Sequence, residues 1–345
     1  MSIPRFELAP GYLVSRIILG GWQLARGHAR TGGDAGAFED LLRSAVRAGI
    51  TTLDCADIYI GVEELIGKFL RSARPDSPVR IHTKYVPDLG SLPTLTESQT
   101  RDIVDRSLRR LGVEQLDMVQ FHWWDFDIQG YVDAALTLGK LRKEGKISRI
   151  GVTNFDADHL SDILDAGVPV ISNQVQYSVL DRRPEGEMTR LCAEHGISLL
   201  CYGTLAGGFL TGAYLDAPEP HEPFENRSLV KYRLIIDEFG DWEHYQRLLR
   251  ALRSIADRHG VDIAAVASRF VLDRPGVAAA ITGIRTPSHL QRLDRIFDLA
   301  LDDADLAELA GCLADAPGPR GPVYGLERVK GGRHAEIMRT NLNRW

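Results

Sequence analysis

The stretch Thr51-Thr52-Leu53-Asp54-Cys55 is a short, β-branched apolar run that ends beside a carboxylate, and similar runs recur along the chain. Each run is about four to eight residues long with few charges inside, as expected of a strand covered on both faces. Eight runs are predicted as strands: Arg16–Gly21, Thr51–Cys55, Arg80–Thr83, Met118–His122, Ser148–Val152, Val170–Gln174, Ser198–Tyr202 and Ala279–Gly283.

Amphipathic helical stretches lie between these strands. The spacing of Val104, Leu108 and Leu111 places their side chains on one stripe of a helix, and Thr96-Glu97-Ser98-Gln99 forms a capping-box pattern ahead of it. Strands that alternate with helices predict parallel βαβ units. The fold class is therefore α/β.

Eight βα units can close into a (β/α)8 barrel or form an open, doubly wound sheet, and periodicity alone does not separate the two. The chain has neither G-x-G-x-x-G after its first strand nor G-x-x-x-x-G-K-[ST]. Their absence weakens the open-sheet interpretation and favours a TIM barrel. Because such barrels often reach this length as one unit, residues 1–345 are interpreted as a single domain.

Three segments fall outside the alternation of strands and helices. Residues 6–14, with Pro10-Gly11 at their centre, predict a β-hairpin that covers the barrel floor. Residues 206–242 form a long Pro-, Glu- and Gly-rich connection after the seventh strand, of the kind used as a lid or left disordered. Residues 318–345 are a basic tail, interpreted as a solvated surface segment rather than a cover over the barrel mouth.

Composition excludes several classes of function. The 41 Lys and Arg against 47 Asp and Glu give a net charge of -6, which argues against binding to nucleic acid. The cysteines Cys55, Cys192, Cys201 and Cys312 are widely spaced, so they are interpreted as reduced thiols, and no metal site is predicted. No apolar run approaches the ~18 residues that span a membrane. These features predict a soluble, cytoplasmic protein.

The active site of a parallel barrel lies at the C-terminal ends of its strands. Seven polar or aromatic residues lie at these ends or shortly after them: Asp54, Tyr59, Lys84, His122, Asn154, Gln174 and Tyr202. They are expected to converge on one mouth.

The motifs around these residues resemble those of the aldo-keto reductases. Asp54-Cys55-Ala56-Asp57-Ile58-Tyr59, followed by Glu63 and Gly67, is similar to the D-x-A-x-x-Y…E…G signature of that family. Further motifs match in order: Thr83-Lys84, Gln120-Phe121-His122-Trp123, Ile150-Gly151-Val152-Thr153-Asn154-Phe155, Asn173-Gln174-Val175-Gln176-Tyr177 and Tyr202-Gly203-Thr204-Leu205-Ala206-Gly207-Gly208. The resemblance extends from about Leu19 to about Leu299, and it implies a (β/α)8 barrel.

The resemblance also implies a catalytic tetrad of Asp54, Tyr59, Lys84 and His122. Tyr59 would be the proton donor, and its ordinary pKa near 10 calls for a cation that stabilises the phenolate. Lys84 would supply that cation, with Asp54 holding it charged, while His122 would hydrogen-bond and align the carbonyl. Taken singly, the Asp–Lys pair could be only a structural ion pair and Tyr59 only a packing aromatic.

For the cofactor, the resemblance implies contacts along the dinucleotide. Thr153, Asn154 and Gln174 would hold the nicotinamide carboxamide, and Tyr202 would stack on its ring. The backbone N–H groups of Leu205 and Gly207 would face the pyrophosphate.

The segment expected to meet the adenosine end departs from the family pattern. Gly283 and Arg285 resemble the family's phosphate-binding segment, and a guanidinium suits the 2′-phosphate of NADP. His289 stands where many members have Arg or Gln, and Leu293 stands where an adenine-contacting Asn is usual, although Arg292 could compensate. The pattern favours NADP(H) and leaves NAD(H) open.

Trp22, Trp123 and Trp124 are predicted to line the substrate pocket, where an indole could stack on a sugar or on an aromatic aldehyde. The expected partner is a small-molecule carbonyl or alcohol. The alternatives are a non-catalytic nucleotide-sensing subunit of the same fold, an NAD-dependent sugar dehydrogenase, and a barrel lyase that uses Lys84 as a Schiff base. The oligomeric state and the direction of the reaction stay open.

Overall fold

The computed structural model describes residues 3–25, 35–73, 78–284, 287–293 and 295–343. A two-stranded antiparallel hairpin precedes a closed barrel of eight parallel strands. The strands are β1 (Arg5–Ala9), β2 (Tyr12–Ser15), β3 (Ile17–Gly20), β4 (Thr52–Asp54), β5 (Arg80–Tyr85), β6 (Leu116–Phe121), β7 (Ile147–Thr153), β8 (Val170–Gln176), β9 (Ser198–Tyr202) and β10 (Val277–Thr282).

Helices alternate with the barrel strands and continue beyond them. In the described residues they are α1 (Ala35–Arg47), α2 (Val62–Ala73), α3 (Glu97–Leu111), α4 (Tyr131–Lys143), α5 (Ala157–Asp165), α6 (Glu187–His195), α7 (Arg227–Phe239), α8 (Trp242–His259), α9 (Ile263–Leu272), α10 (Pro287–Leu293), α11 (Arg295–Asp298), α12 (Asp303–Asp315), α13 (Gly325–Arg328) and α14 (Arg333–Glu336). Short 3-10 helices cover Trp22–Leu24, Leu89–Thr94, Ala206–Gly208 and Gly212–Tyr214. The predicted capping box is confirmed, since Thr96 accepts from the backbone N–H of Gln99 at the start of α3.

Closure of the sheet decides between the two architectures that the sequence left open. The last strand, β10, pairs with the first barrel strand, β3, with Ala280 opposite Ile17. An open sheet would leave both of these edges unpaired. The predicted TIM barrel is therefore confirmed, and all eight predicted strands are present with ends shifted by at most two residues.

The N-terminal hairpin closes the floor of the barrel. Leu8, Tyr12 and Val14 are buried in a cluster with the barrel residues Ile18 and Met118. Alternation along β2 sends Tyr12 and Val14 inward and leaves Leu13 exposed. The hairpin predicted from Pro10-Gly11 is confirmed in this position.

The strand register brings the polar strand ends to one level. Lys84 lies opposite Gln120 in the β5–β6 pair, and Thr153 lies opposite Gln174 in the β7–β8 pair. Asp54 ends β4. Parallel strands in a barrel present their carboxyl ends to the same face, so these side chains meet at the mouth.

The connection at residues 206–242 is more ordered than its composition suggests. It contains α7, which begins after the N-cap Asn226. Tyr232, Ile235, Ile236 and Phe239 are buried on one side of this helix. The Pro-, Glu- and Gly-rich first half of the segment concealed the helical period of the second half.

The expectation of a solvated C-terminal tail is wrong. Glu327 in α13 is buried and pairs with Arg183 at 3.0 Å and with Lys231 at 3.5 Å. The Arg328 guanidinium donates to the backbone carbonyls of Trp123 and Asn154. The basic tail thus carries a glutamate, Glu327, that pairs with Arg183 and Lys231 from distant parts of the chain. The composition of the tail alone does not predict this pairing.

The end of the tail is held at the segment that follows β5. The backbone N–H groups of Leu342 and Asn343 both donate to Asp88 at 2.8 Å, and the N–H of Leu89 donates to the carbonyl of Thr340. Arg227 of α7 donates to the carbonyl of Ile337 between these points. The C-terminal tail therefore covers part of the cavity and is anchored near both of its ends.

We expect Glu327→Gln to lower the free energy of unfolding by about 3 kcal/mol, since it leaves the buried Arg183 and the partly buried Lys231 short of a counter-charge. Urea denaturation measures this, with Glu336→Gln at an exposed position of the same tail as the control. Lys231 and Arg183 outweigh burial and lower the pKa of Glu327 to about 2, from an ordinary value of 4.5. The stabilisation is thus fully present above pH 4.5 and is lost as the pH falls towards 2. Equal stability of the two variants at pH 7 would contradict this role.

Candidate active site

A buried ion pair lies at the centre of the mouth. Lys84 Nζ lies 2.6 Å from Asp54 Oδ2 and 3.0 Å from the carbonyl oxygen of Cys55. The side chains of Lys84 and Asp54 are only 6% and 5% exposed. Burial by itself lowers the pKa of Lys84, but the charge of Asp54 and its hydrogen bond raise this pKa above the usual value. Lys84 is therefore an ammonium ion at neutral pH.

Tyr59 lies between β4 and α2, above this ion pair. Its ring centroid is 5.0 Å from Lys84 Nζ and 5.0 Å from the ring of Trp22. Burial raises the pKa of Tyr59, and the Lys84 ammonium offsets only part of the increase. Tyr59 consequently keeps its proton at neutral pH, as a proton donor must.

His122 follows β6 and is 3% exposed. Its Nδ1 lies 3.2 Å from the carbonyl oxygen of Thr153, and the rings of Trp124 and Tyr324 pack edge to face against it at 4.4 and 5.5 Å. Burial, and then the charge of Arg328, lowers the pKa of His122 to about 3. The imidazole is therefore neutral at physiological pH.

Two glutamines complete the hydrogen bonding of Asp54. Its Oδ1 accepts from Gln120 Nε2 at 2.9 Å and from Gln174 Nε2 at 2.6 Å. Gln174 Nε2 also donates to Gln120 Oε1 at 2.9 Å, which uses both of its hydrogens and leaves Oε1 of Gln174 as an acceptor. The sequence analysis placed Gln120 in a family motif but gave it no role, although an amide inside an apolar strand was the available signal.

The signature residues Glu63 and Gly67 have structural roles. Glu63 is fully buried and accepts from the hydroxyl of Thr83 at 2.7 Å. A Cβ on Gly67 would lie 2.6 Å from the carbonyl oxygens of Arg110 and Leu111, so only glycine lets α2 approach the end of α3. Both contacts fix α2, and α2 directly follows the loop that carries Tyr59.

A cavity of about 530 Å³ opens at this mouth. Fourteen of the residues predicted for the site line it: Trp22, Asp54, Tyr59, Lys84, His122, Trp124, Thr153, Asn154, Gln174, Tyr202, Leu205, Gly207, Gly283 and His289. Arg285 lies outside the described residues. Among the residues that sequence reasoning did not place here are Lys231, Tyr232 and Tyr324.

The comparison with known proteins agrees with this geometry. The sequence model of the Aldo/keto reductase family matches residues 16–314, which is most of the chain. The chain belongs to the aldo/keto reductase family.

Two curated relatives of this aldo/keto reductase are each 28% identical to it. The aldo-keto reductase YhdN of Bacillus subtilis aligns over 90% of this chain and 94% of its own length. The NADH-specific methylglyoxal reductase of Escherichia coli aligns over 85% of this chain and 92% of its own length. Among solved structures, a glycerol dehydrogenase of Gluconobacter oxydans superimposes with a TM-score of 0.75 at 26% identity, covering 93% of this chain and 97% of that one.

The prediction that Trp123 lines the pocket of this aldo/keto reductase is wrong. Its side chain is fully buried, and its indole N–H donates to the carbonyl of Ile128 at 3.0 Å. Because His122 faces the cavity, the next side chain points away from it into the core beside Phe121. Trp124 does line the cavity, with its indole N–H held by the carbonyl of Pro87.

The groups around Tyr202 suit a carboxamide. Tyr202 donates its hydroxyl to Asn154 Oδ1 at 2.9 Å, and the Thr153 hydroxyl donates to the carbonyl of Gln174 at 3.0 Å. Asn154 has a positive φ of 62°, which turns its side chain towards Tyr202. The amide nitrogen of Asn154 is a donor and Gln174 Oε1 is an acceptor, so together they match the two ends of a nicotinamide amide.

Of the two predicted glycines that line the cavity, Gly207 is required by packing and by its backbone conformation. Gly207 has a φ of 67°, and a Cβ there would lie 2.8 Å from the ring of Tyr232 in α7. A Cβ on Gly283 would meet only the terminal amide of Gln23, which is the movable end of a flexible side chain. Both residues still line the cavity, so their backbones remain open to a ligand.

The far end of the cavity is mixed in charge. His289 and Arg292 of α10 are exposed and line it, and the buried Leu293 lines it as well. Arg292 Nη1 lies 4.0 Å from Asp262 Oδ2, and this carboxylate lines the same end. The negative charge of Asp262 therefore offsets part of the positive charge of Arg292 at the end of the cavity where the adenosine is expected.

Away from the mouth, His259, Asp302 and Asp305 lie close enough to hold a metal ion. Asp305 is already paired with Arg258 and His259 at 2.7 Å, and Asp302 caps α12. These contacts give the three residues a structural role at the start of α12. None of the helices in the described ranges is long and apolar enough to span a membrane.

We expect Gln120→Leu to lower the free energy of unfolding by about 1–3 kcal/mol, since Asp54 and Gln174 each lose a buried partner. Gln115→Leu, at an exposed position before the same strand, is the matched control and should change stability little. Chemical denaturation of both variants measures the difference. A Gln120→Leu protein as stable as the control would show that this amide is dispensable.

Proposed function

We propose that this protein is an NAD(P)(H)-dependent oxidoreductase that reduces an aldehyde or ketone to an alcohol, or runs the reverse reaction. A sugar, a sugar derivative and an aromatic aldehyde are the candidate substrates. The observation that carries this proposal is the buried Lys84–Asp54 pair next to a protonated Tyr59, at the base of one cavity. Membership of the aldo/keto reductase family supports it.

A bound reduced nicotinamide would supply the hydride. We propose that Asn154, Gln174 and Thr153 hold its carboxamide, that Tyr202 stacks on its ring, and that Leu205 and Gly207 face the pyrophosphate. Gly283, Arg285 and His289 would meet the adenosine end. NADP(H) is the proposed cofactor because guanidinium groups suit its 2′-phosphate. The relative named as NADH-specific, and the acid beside Arg292, support NAD(H) as the alternative.

The residues of this chain would handle the proton. As the carbonyl carbon gains a hydride, its oxygen takes the proton of Tyr59, so one C–H and one O–H bond form while the C=O π bond breaks. The phenolate that remains is stabilised by the Lys84 ammonium, which Asp54 holds in place. In the oxidative direction the phenolate of Tyr59 takes the proton back from the alcohol.

The walls of the cavity fit a compact organic substrate. Trp22 and Trp124 provide aromatic faces near Tyr59 and His122, and the tail adds Met338 to the lining. Aromatic faces stack on the apolar faces of sugars as well as on aromatic rings. A Schiff base on Lys84 is disfavoured, because Asp54 keeps this lysine protonated and therefore a poor nucleophile.

The first test is absorbance at the reduced-nicotinamide band, with NADPH and NADH supplied separately against a panel of aldehydes and aldoses. We expect substrate-dependent oxidation of at least one nucleotide. Tyr59→Phe should lower turnover by about 100-fold or more while nucleotide binding, followed by fluorescence, stays nearly unchanged. Tyr131→Phe, a tyrosine outside the cavity lining, is the control. Full turnover in Tyr59→Phe would refute the mechanism, and no nucleotide binding would refute the function.

The raised pKa of Tyr59 predicts a pH dependence that differs between the two directions. Alcohol oxidation needs the phenolate, so its kcat/KM should rise with pH and reach no plateau below the ordinary tyrosine pKa of 10.0. Carbonyl reduction needs the protonated form and should stay flat from about pH 6 to about pH 9. Initial rates in both directions measure this. A plateau of oxidation near pH 7 would contradict it.

A further inference from the structure

A second cavity, of about 360 Å³, is lined by the segment around Tyr59, by α2 and α3, and by the C-terminal tail. Its volume is within the range of about 300–1,000 Å³ that small-molecule sites occupy. Ile60 and Gly61, the two residues that follow Tyr59, line this second cavity, and Leu342 of the tail lines it as well as the cavity at the mouth. A ligand in the second cavity would therefore touch the loop that carries Tyr59.

The carboxyl group of Asp57 is the buried polar group of this cavity, and Asp57 is only 3% exposed. Its Oδ2 accepts from the backbone N–H of Val86 at 3.4 Å and lies 3.8 Å from Arg106 Nη2. Its Oδ1 is buried and has no hydrogen-bond partner among the residues that the structure describes. A buried polar atom without a partner costs free energy, and a ligand that bonds Oδ1 would remove that cost.

The protonation state of Asp57 decides what Oδ1 can bond. Burial, and then the negative charge of Glu63, raises the pKa of Asp57 to about 8 from an ordinary value of 3.8, although Arg106 acts in the opposite direction. Asp57 is therefore mostly a neutral acid at pH 7. Because Oδ2 already accepts the N–H of Val86, the proton lies on Oδ1, and Oδ1 is a donor.

Two cations face the same cavity. Arg106 Nη2 donates to the amide oxygen of Asn343, while Arg106 Nε is buried and has no partner in the described part of the chain. Lys68 of α2 is exposed and also lines the cavity. A third cation, Arg110, is already paired with Glu64 at 3.1 Å. The cavity thus offers a ligand one neutral donor and two positively charged donors.

We propose that the second cavity binds a small organic acid that carries an apolar group, at a site separate from the one at the barrel mouth. The carboxylate of the ligand accepts hydrogen bonds from Asp57 Oδ1, Arg106 Nε and Lys68 Nζ. Its apolar group packs against Ile60 and Leu65. The site does not depend on the proposed function, since it contains none of the residues assigned to the nucleotide or to the carbonyl substrate.

Isothermal titration calorimetry of the full chain with benzoate and with benzyl alcohol tests this site, because both probes have a phenyl ring and only benzoate has a carboxylate. At pH 7 we expect benzoate to bind about tenfold or more tightly than benzyl alcohol. Arg106→Gln should weaken benzoate binding about tenfold, through the loss of a charged hydrogen bond. Arg109→Gln, at an exposed position of α3, should bind benzoate as the wild type does.

Equal binding of the two probes by the wild type, or no binding of benzoate, would overturn the proposal. Equal binding of benzoate by the Arg106→Gln and Arg109→Gln proteins would place the probe at another site and overturn it as well. Oxidation of reduced nicotinamide is measured separately, so the proposed function can fail or hold without changing these results.

A cavity-filling variant tests the same site without removing a charge. Leu65 of α2 is partly buried and lines the second cavity but not the one at the mouth. Leu65→Trp should reduce the space for the phenyl ring and weaken benzoate binding about tenfold or more. Circular dichroism verifies that this variant is folded. Full benzoate binding by the folded variant would contradict the assignment.

The neutral form of Asp57 gives the binding a pH dependence. The neutral fraction of a group with a pKa of about 8 falls about tenfold between pH 7 and pH 9. The other charged groups next to Asp57 are Glu63, Arg106 and Arg110, and glutamate, lysine and arginine side chains ordinarily keep their charges over this range. We expect benzoate to bind the wild type about tenfold more weakly at pH 9 than at pH 7.

Asp57→Asn removes the titrating group and keeps a donor, because its amide can donate at either pH. This variant should bind benzoate equally at pH 7 and at pH 9. A wild-type affinity that does not change over this range would overturn the role of Asp57 as the donor, and so would the same loss of affinity in Asp57→Asn.

Discussion

The carboxylate of Asp54 is the constraint on which the mouth of this barrel depends. One oxygen holds the Lys84 ammonium, and the other accepts from Gln120 and Gln174. These four side chains come from β4, β5, β6 and β8, so one buried charge ties half of the barrel strands together. A buried carboxylate is tolerated only when each of its oxygens has partners, and this network provides them. The same network keeps Lys84 charged beside Tyr59.

A second buried ionic contact anchors the C-terminal tail over the cavity. Glu327 joins Arg183 to Lys231 of α7, and through them the tail to the long connection after β9. Arg328 then bonds the backbone just after two neighbouring strands, at Trp123 after β6 and at Asn154 after β7. The chain therefore covers part of the cavity with its own C-terminal segment, and Tyr324, Met338 and Leu342 of that segment line it.

Tyr59 and His122 both line the cavity in their uncharged forms. Tyr59 keeps its proton because partial burial raises its pKa, and His122 stays neutral because burial and the charge of Arg328 lower its pKa.

The sequence by itself determined the eight strands, the floor hairpin and the residues at the strand ends, because short apolar runs and their polar terminal residues are local patterns. It also predicted the tetrad positions through motif spacing. Only the tertiary structure decided that the sheet closes, that Trp123 is core and that Gln120 joins Asp54 to Gln174. The roles of the tail and α7 were likewise hidden, since Arg183 and Glu327 lie 144 residues apart. Such contacts join residues that are distant in the chain, so the local composition around each residue does not predict them.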